Sequence, residues 1–331
     1  MVFRSKEKNH QLIDGKRILE PIQPSDDRFH RAIKHVGAEW WYFDAIFTND
    51  YSIHLGLRTY SKKKRGMISP QLEIYKGGQF LVEETTRFLF KDVDISKTLP
   101  IVKHNDQVLM AINNDLYEHD KKWQYHINLF LKKYGFDLTF DGTTPGWKFE
   151  TDRESWTVSL PKSNVKGTLM IDGEEIPVEG MGYHDHNWNY NMVTVMNYGQ
   201  GWYWGKIASK HFNIVWAKIV KSNKYELIAV INKDGGNYYN IDPKNIDLTV
   251  DTNMKVGRFK TPSHFHLKIS ETIDGIPINV DVDMHAHGIH YNSIIVAPYF
   301  RYHVKSTGTI AIGSEKETVN DLQIMEYLRF S

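Results

Sequence analysis

Trp123-Gln124-Tyr125-His126-Ile127-Asn128-Leu129-Phe130-Leu131 decides the fold class. Trp123, Tyr125, Ile127, Leu129 and Leu131 recur at every second position. Successive side chains of a strand point to opposite faces, so this is a strand with one face in a core. The same alternation recurs outward in both directions. Ile53, Leu55 and Leu57 alternate with Ser52, His54, Gly56 and Arg58; Phe265, Leu267 and Ile269 alternate with His266 and Lys268; Ile278, Val280, Val282 and Met284 alternate with Asn279, Asp281 and Asp283. Turn signals separate such runs at Asn49-Asp50, Gly77-Gly78, Asp141-Gly142, Asp172-Gly173, Asp234-Gly235-Gly236 and Asp274-Gly275. Convincing helical segments are few, and Ile18–Ala32, with its prolines, reads as mostly irregular. The chain is therefore all-β and antiparallel, built as sandwiches or barrels.

The 331 residues suffice for two domains, and a 41% hydrophobic content supplies their cores. With 41 basic and 40 acidic residues the net charge is +1, which gives no electrostatic case for nucleic acid or an anionic membrane. The basic run Lys62-Lys63-Lys64-Arg65 lies between two strand patterns and reads as a solvated hairpin tip. No cysteine is present, which excludes disulfides, thiolate metal sites and cysteine nucleophiles and suits a reducing interior. Met1–Gln11 is polar, without the apolar stretch of a secretory signal, and no apolar run approaches the ~18 residues of a membrane span. A soluble, cytoplasmic protein is expected.

Two stretches carry chemistry. Tyr183-His184-Asp185-His186-Asn187-Trp188 follows glycines at 180 and 182 and the strand pattern Val165–Ile171. In an extended chain His184, His186 and Trp188 share one face, and Tyr183, Asp185 and Asn187 the other. A lone histidine at a strand end usually makes a structural hydrogen bond. So many polar groups together point to acid–base work beside a π face. The second stretch is Glu39-Trp40-Trp41-Tyr42-Phe43-Asp44. Its four aromatics place two rings on each strand face, one pair for a core and one for a cavity wall, although each ring taken alone reads as core. Glu39 lies amid apolar bulk, so burial is expected to raise its pKa.

His-x-His occurs at 184/186 and again at 285/287, a plausible pair of metal ligands on one strand face, with His290, His264, Glu39 or Asp185 as further donors. No third-ligand spacing supports this reading, and no metal is expected. Gly-x-Ser-x-Gly, P-loop and Gly-x-Gly-x-x-Gly signatures are absent. What remains is acid–base chemistry in an aromatic cavity. Protonating an alkene makes a carbocation, which needs a proton donor, a π face, and either water or a second double bond to capture it. His184, Asp185, His186 and Trp188 supply the first two, with Trp40, Trp41, Trp202 and Trp204 as candidate walls.

At Glu39–Phe43, at Gly182–Trp188 and at Ile324-Met325-Glu326-Tyr327-Leu328-Arg329-Phe330 the sequence resembles the carotenoid 1,2-hydratase (hydroxyneurosporene synthase) and AttH-like superfamily, from about residue 36 to the end. The resemblance implies two tandem lipocalin-like (calycin) β-barrel domains with the ligand cavity near their junction. It also implies no cofactor, and a hydratase, isomerase or cyclase acting on an isoprenoid or polyene. The family's His-x-Trp pair matches His186 and Trp188. Its downstream Tyr and Asp have no match in Gly205–Asn213, where His211 is the nearest titratable substitute other than lysine. The expected domains are an irregular extension at 1–35, a first barrel at 36–190 and a second at 191–331, with Tyr190–Gly201 as linker. Strands rich in aromatics open both barrels, and Ile176-Pro177…His184/His186 echoes Ile276-Pro277…His285/His287, two hints of duplication at different offsets. The expected catalytic residues are His184, Asp185, His186 and Trp188. The expected ligand contacts are Glu39, Trp40, Trp41, Tyr183, Trp202, Trp204 and His211. The alternative is a non-catalytic carrier of an apolar small molecule in the same barrel. The sequence leaves the oligomeric state open.

Overall fold

The computed structural model describes residues 10–31, 36–63, 65–152, 154–191, 201–221, 223–252, 254–294 and 297–329. Strands account for 73% of it and helices for 5%, so the chain is all-β, built as two tandem barrel-like domains from two curled antiparallel sheets. Most of the linker expected at Tyr190–Gly201, residues 192–200, lies outside the described residues.

By compactness the chain divides into an N-terminal unit, Ile18–Thr194 with Asp234–Asn237, and a C-terminal unit that holds the remainder. The principal strands of the N-terminal unit are β1 (Gly37–Phe47), β2 (Tyr51–Lys62), β3 (Arg65–Lys76), β4 (Gln124–Leu131), β5 (Tyr134–Gly142), β6 (Ser155–Ile171) and β7 (Glu174–Asn191). They pair in the order β3-β2-β1-β7-β6-β5-β4, so the first strand of the unit lies beside the last. The C-terminal unit holds β8 (Gly201–Ala208), β9 (Phe212–Lys221), β10 (Lys224–Lys233), β11 (Ile246–Asp251), β12 (His264–Ile273), β13 (Ile276–Ile294), β14 (Ala297–Ile312) and β15 (Glu315–Arg329). Its order is β10-β9-β8-β15-β14-β13-β12-β11, again with the opening strand beside the closing one. The aromatic runs Trp40–Phe43 and Trp202–Trp204 thus occupy equivalent strands, β1 and β8. The two His-x-His runs do not, since β7 closes its unit and β13 is third from the end of its own.

Turn chemistry sets the register. Asp172-Gly173 joins β6 to β7 with both residues at positive φ (53° and 91°), and Asp274-Gly275 joins β12 to β13 in the same way (50° and 79°). Positive φ at both central residues is what a two-residue hairpin matched to strand twist requires. Lys62 pairs with Arg65 across the β2–β3 turn, so these two ends of the basic run face each other in a hairpin. Register slips between Leu160 and Ser163 of β6, around Pro161, which has no N–H for the ladder. The inward residues of each unit form its own core: Trp41, Phe43, Leu55, Leu57, Tyr125 and Phe140 among others in the first, Ile207, Trp216, Phe265, Val282 and Tyr302 among others in the second. One α-helix, Asn114–Asp120, escaped the sequence reading because it is only seven residues long. No helix among the described residues is long and apolar enough to cross a membrane.

The 1–35 extension has two destinations. Gln11 and Leu12 pair in parallel with Lys224 and Tyr225 of β10. Residues from Ile18 onward belong to the N-terminal unit, where the backbones of Glu20 and Lys148 exchange hydrogen bonds of 2.9 and 3.0 Å. The Lys148 amine also reaches Asp26 Oδ1 at 2.8 Å. A 3-10 turn, Pro24–Asp27, follows, and it buries Asp27.

Close approach of β7 to its neighbours requires Gly182. A Cβ there would lie 2.6 Å from Val165 Cγ2, 2.7 Å from Phe140 Cε1 and 2.8 Å from Asp44 O. Gly182→Ala is expected to cost ~1–3 kcal/mol in urea unfolding, as overpacking does. A cost below ~0.5 kcal/mol would show that the strands part freely at this point.

Candidate acid–base centre

Strands β1 and β7 bring the two sequence motifs together. Trp41 lies directly opposite His186, and Phe43 opposite His184. Directly opposed side chains on one face touch, and here they stack: Trp41 on His186 at 4.5 Å and 18°, Phe43 on His184 at 3.7 Å and 2°. Both histidines are fully buried.

A buried imidazole pair needs partners, and Asp27 supplies them. Its Oδ2 lies 2.9 Å from His184 Nε2 and accepts a short hydrogen bond from the Tyr125 hydroxyl. Its Oδ1 lies 3.1 Å from His186 Nδ1, an ion-pair contact whose angle falls short of a hydrogen bond. Trp41 Nε1 donates to the Asp27 carbonyl at 2.9 Å and ties the 3-10 turn to β1. On its other side His184 Nδ1 donates to the Tyr42 carbonyl at 2.9 Å.

Glu39 holds the other side of His186, with Nε2 to Oε1 at 3.0 Å. Its carboxylate also accepts the backbone amides of His30 (2.7 Å) and Arg31 (2.9 Å). Arg31 adopts φ 60°, a left-handed conformation uncommon outside glycine, and it turns two successive N–H groups onto one anion. The expectation that burial raises the Glu39 pKa is corrected here. Burial does push it up, but the hydrogen bond from His186 and the nearby His186 and His30 rings outweigh it and hold the carboxyl at about 2. Asp27 follows the same logic: burial raises it, His184 and His186 more than reverse that, and it lies below the usual carboxylate range. Burial alone would depress His186, yet Asp27 and Glu39 raise it to about 9, so it carries a proton at neutral pH.

His30 and Trp188 form the less buried end. Their rings stack at 3.6 Å and 3°. The His30 side chain is 11% exposed, while those of Asp27, His184 and His186 are at 0%. His30 Nδ1 lies 3.4 Å from Glu39 Oε1 without a hydrogen bond, and Trp188 Nε1 is buried without a partner. Burial, ahead of the opposing pull of Glu39, holds the His30 pKa below its ordinary value. Donor atoms of His30, Glu39 and His186 come close enough to share a cation, but Glu39 already accepts three N–H groups.

Alternation separates Asp185 from the two histidines. Asp185 faces the other side of β7, where Oδ2 accepts from Trp156 Nε1 (2.8 Å) and the Tyr183 hydroxyl (2.7 Å), and Oδ1 from Asn187 (3.1 Å). Tyr42 and Asp44 of β1, and His54 and Glu73 behind them, line the same buried polar face. Trp40 is half-buried against Tyr190 at 4.9 Å. Trp202, Trp204 and His211 belong to the C-terminal unit. Trp202 packs with Ala297, Tyr299 and Leu328, and Trp204 pairs with Glu326 across the β8–β15 ladder. His211 lies in the turn after β8, about half exposed, with Nδ1 2.6 Å from Glu317 Oε1. An open groove of about 630 Å³ in the N-terminal unit is lined by Asn49, Asp137, Lys166 and Glu179 among others, and by neither His186 nor Trp188. Asp27 and His30 escaped the sequence reading because they lie in a stretch without periodicity.

No protein-family model matches the chain. The hydroxyneurosporene dehydrogenase of Chlorobaculum tepidum is 30% identical over 118 residues, 34% of this chain and 29% of that protein. The match thus spans less than a third of the relative's length. Among solved structures, an AttH protein of Nitrosomonas europaea superposes with a TM-score of 0.66 at 13% identity, over 96% of this chain and 98% of that one. CghA with Sch210972 gives 0.62 at 10% identity, and kievitone hydratase of Nectria haematococca 0.57 at 12%, each over 98% of this chain and 97% of the other. At such identities these likenesses establish the fold, extending over nearly the whole of both chains.

Proposed function

We propose that the chain is an acid–base enzyme of the hydratase or isomerase/cyclase kind that acts on an apolar small molecule. One observation carries the reading. The imidazole of His186 is buried between two carboxylates, and one of these leads to a partly exposed histidine stacked on an indole. Glu39 Oε1 faces both His186 Nε2 and His30 Nδ1, so it can pass a proton between them. His30 Nε2 then remains to meet a substrate. A depressed pKa makes the His30 imidazolium a stronger acid, as alkene protonation demands. The alkene π pair takes the proton and leaves a cation on the neighbouring carbon, against Trp188. Water then adds and returns a proton, which completes hydration, or an adjacent carbon loses a proton, which completes isomerisation. No oxidant or reductant enters. The likeness to a hydratase fold, the short match to a hydroxyneurosporene enzyme and the His186/Trp188 pair support this reading. An isoprenoid or polyene is its first substrate candidate.

Full burial of His184 and His186 favours a second reading, in which the network only braces the barrel of an apolar-ligand carrier. Turnover of a panel of polyenes, terpenoids and flavonoid-like compounds separates the two. An indole facing a desolvated cation contributes ~2 kcal/mol, so Trp188→Leu is expected to lose roughly thirtyfold in rate and Trp188→Phe less. His30→Gln is expected to lose ~10²–10⁴-fold, as removal of a general acid does. Undiminished turnover in His30→Gln would remove His30 from the mechanism. Binding without turnover in every protein would establish the carrier.

A further inference from the structure

The second histidine-rich region of the sequence lies outside this centre, on the outward face of the C-terminal sheet. Asp251 of β11 is directly opposite His264 of β12, and His264 is directly opposite His285 of β13. Three neighbouring strands thus place Asp251, His264 and His285 in one row. Asp283, two residues before His285, projects from the same face. Phe265, Val282 and Met284 point the other way into the core and hold the row rigidly behind.

The contacts divide the two nitrogens of His264 between different tasks. Nδ1 faces Asp251 Oδ2 at 3.4 Å, and Nε2 faces Asp283 Oδ1 at 2.8 Å. The His285 ring lies parallel to that of His264, at 4.3 Å and 8°. One donor atom each from His264, Asp283 and His285 lies within 4.8 Å of the other two. Bonds of ~2.0–2.2 Å in a tetrahedral shell place neighbouring donor atoms ~3.4 Å apart, so the three must adjust around the ion. Rotations of these part-exposed side chains can supply that adjustment. Elsewhere on the sheets, His126–Asp137 at 2.6 Å and His266–Asp281 at 2.8 Å are cross-strand pairs outside the described metal-capable groups. They show what the motif looks like as a plain ion pair.

We propose that His264, Asp283 and His285 form a binding site for a divalent transition ion of the zinc class. Asp251 holds His264 Nδ1–H so that Nε2 faces the ion. Two imidazoles and one carboxylate select Zn²⁺, Ni²⁺ or Cu²⁺ over Mg²⁺ and Ca²⁺, which prefer all-oxygen shells. A carboxylate behind a ligating histidine is the usual orienting partner. The ion would clamp β12 to β13, and through Asp251 to β11.

Calorimetric titration of the chelator-treated full chain with ZnCl₂ tests this, alongside thermal unfolding with and without the ion. Expected is one ion per chain, a raised Tm, and no comparable heat with MgCl₂. His264→Ala and His285→Ala should each weaken binding by tenfold or more, and Asp251→Asn by roughly tenfold, the usual effect of removing an orienting partner. His126→Ala should leave the affinity unchanged. All these side chains are at least partly exposed, and circular dichroism checks the fold of each variant. No binding by the wild type would overturn the proposal, as would full affinity in both His264→Ala and His285→Ala. Binding lost in His186→Ala but kept in His264→Ala would overturn it too, by moving the ion to the buried cluster.

Discussion

His186→Ala is expected to be the most damaging single substitution in the N-terminal unit. It removes the cation between Asp27 and Glu39 and leaves two carboxylates in a fully buried place. Breaking a buried ion pair from one side costs ~3–5 kcal/mol, because the charge left behind has neither water nor a partner. The loss should be largest near neutral pH and shrink toward pH 5 as the orphaned carboxyls take up protons. Urea unfolding followed by circular dichroism at pH 7.5 and pH 5 measures both values. A variant within ~1 kcal/mol of wild type at pH 7.5 would mean that His186 carries no buried charge. Turnover, once a substrate is found, should fall ~10²–10⁴-fold in the same variant.

The wild type should lose stability between pH 6.5 and 9. His186 rises from an ordinary 6.5 to about 9 on folding. A raised pKa contributes stability that is complete below the unfolded value and disappears as pH climbs through the folded one. The shift corresponds to about 3 kcal/mol. The carboxylates act with the opposite sign. Glu39 is lowered from 4.5 to about 2, so its contribution is present above pH 4.5 and is lost as pH falls through 2; Asp27 behaves likewise at still lower pH. His30, lowered from 6.5, also gives stability that is lost on the acid side. Unfolding free energies at pH 6.5, 7.5 and 9 test the alkaline limb. Glu39→Gln should flatten it, because His186 then keeps only one carboxylate. Equal stability of the wild type at pH 6.5 and pH 9 would rule out the charged His186.

The sequence itself determined the strands, their inward faces and several turns. Each of these is local. Alternation along Trp123–Leu131 needs only the two-residue period of a strand, and Asp172-Gly173 needs only the positive φ that the pair tolerates. The same period correctly divided Tyr183–Trp188 into two faces, and so already separated Asp185 from the histidines. It could not say which faces would meet. That Trp41 stacks on His186 follows from the pairing of the opening strand with the closing one, 145 positions along the chain, and only the sheet order decides it. Asp27 and His30 were beyond reach for a related reason. They come from an irregular segment without period, and they matter because folding brings Asp27 to His184 and His30 to Glu39. The sign of the Glu39 shift was likewise tertiary. Burial, visible in the aromatic neighbours of the sequence, raises a carboxyl pKa, but His186 and His30, brought in by the fold, reverse it. Local periodicity selects strands; the charge and proton state of a buried group depend on partners that only the folded sheet assembles.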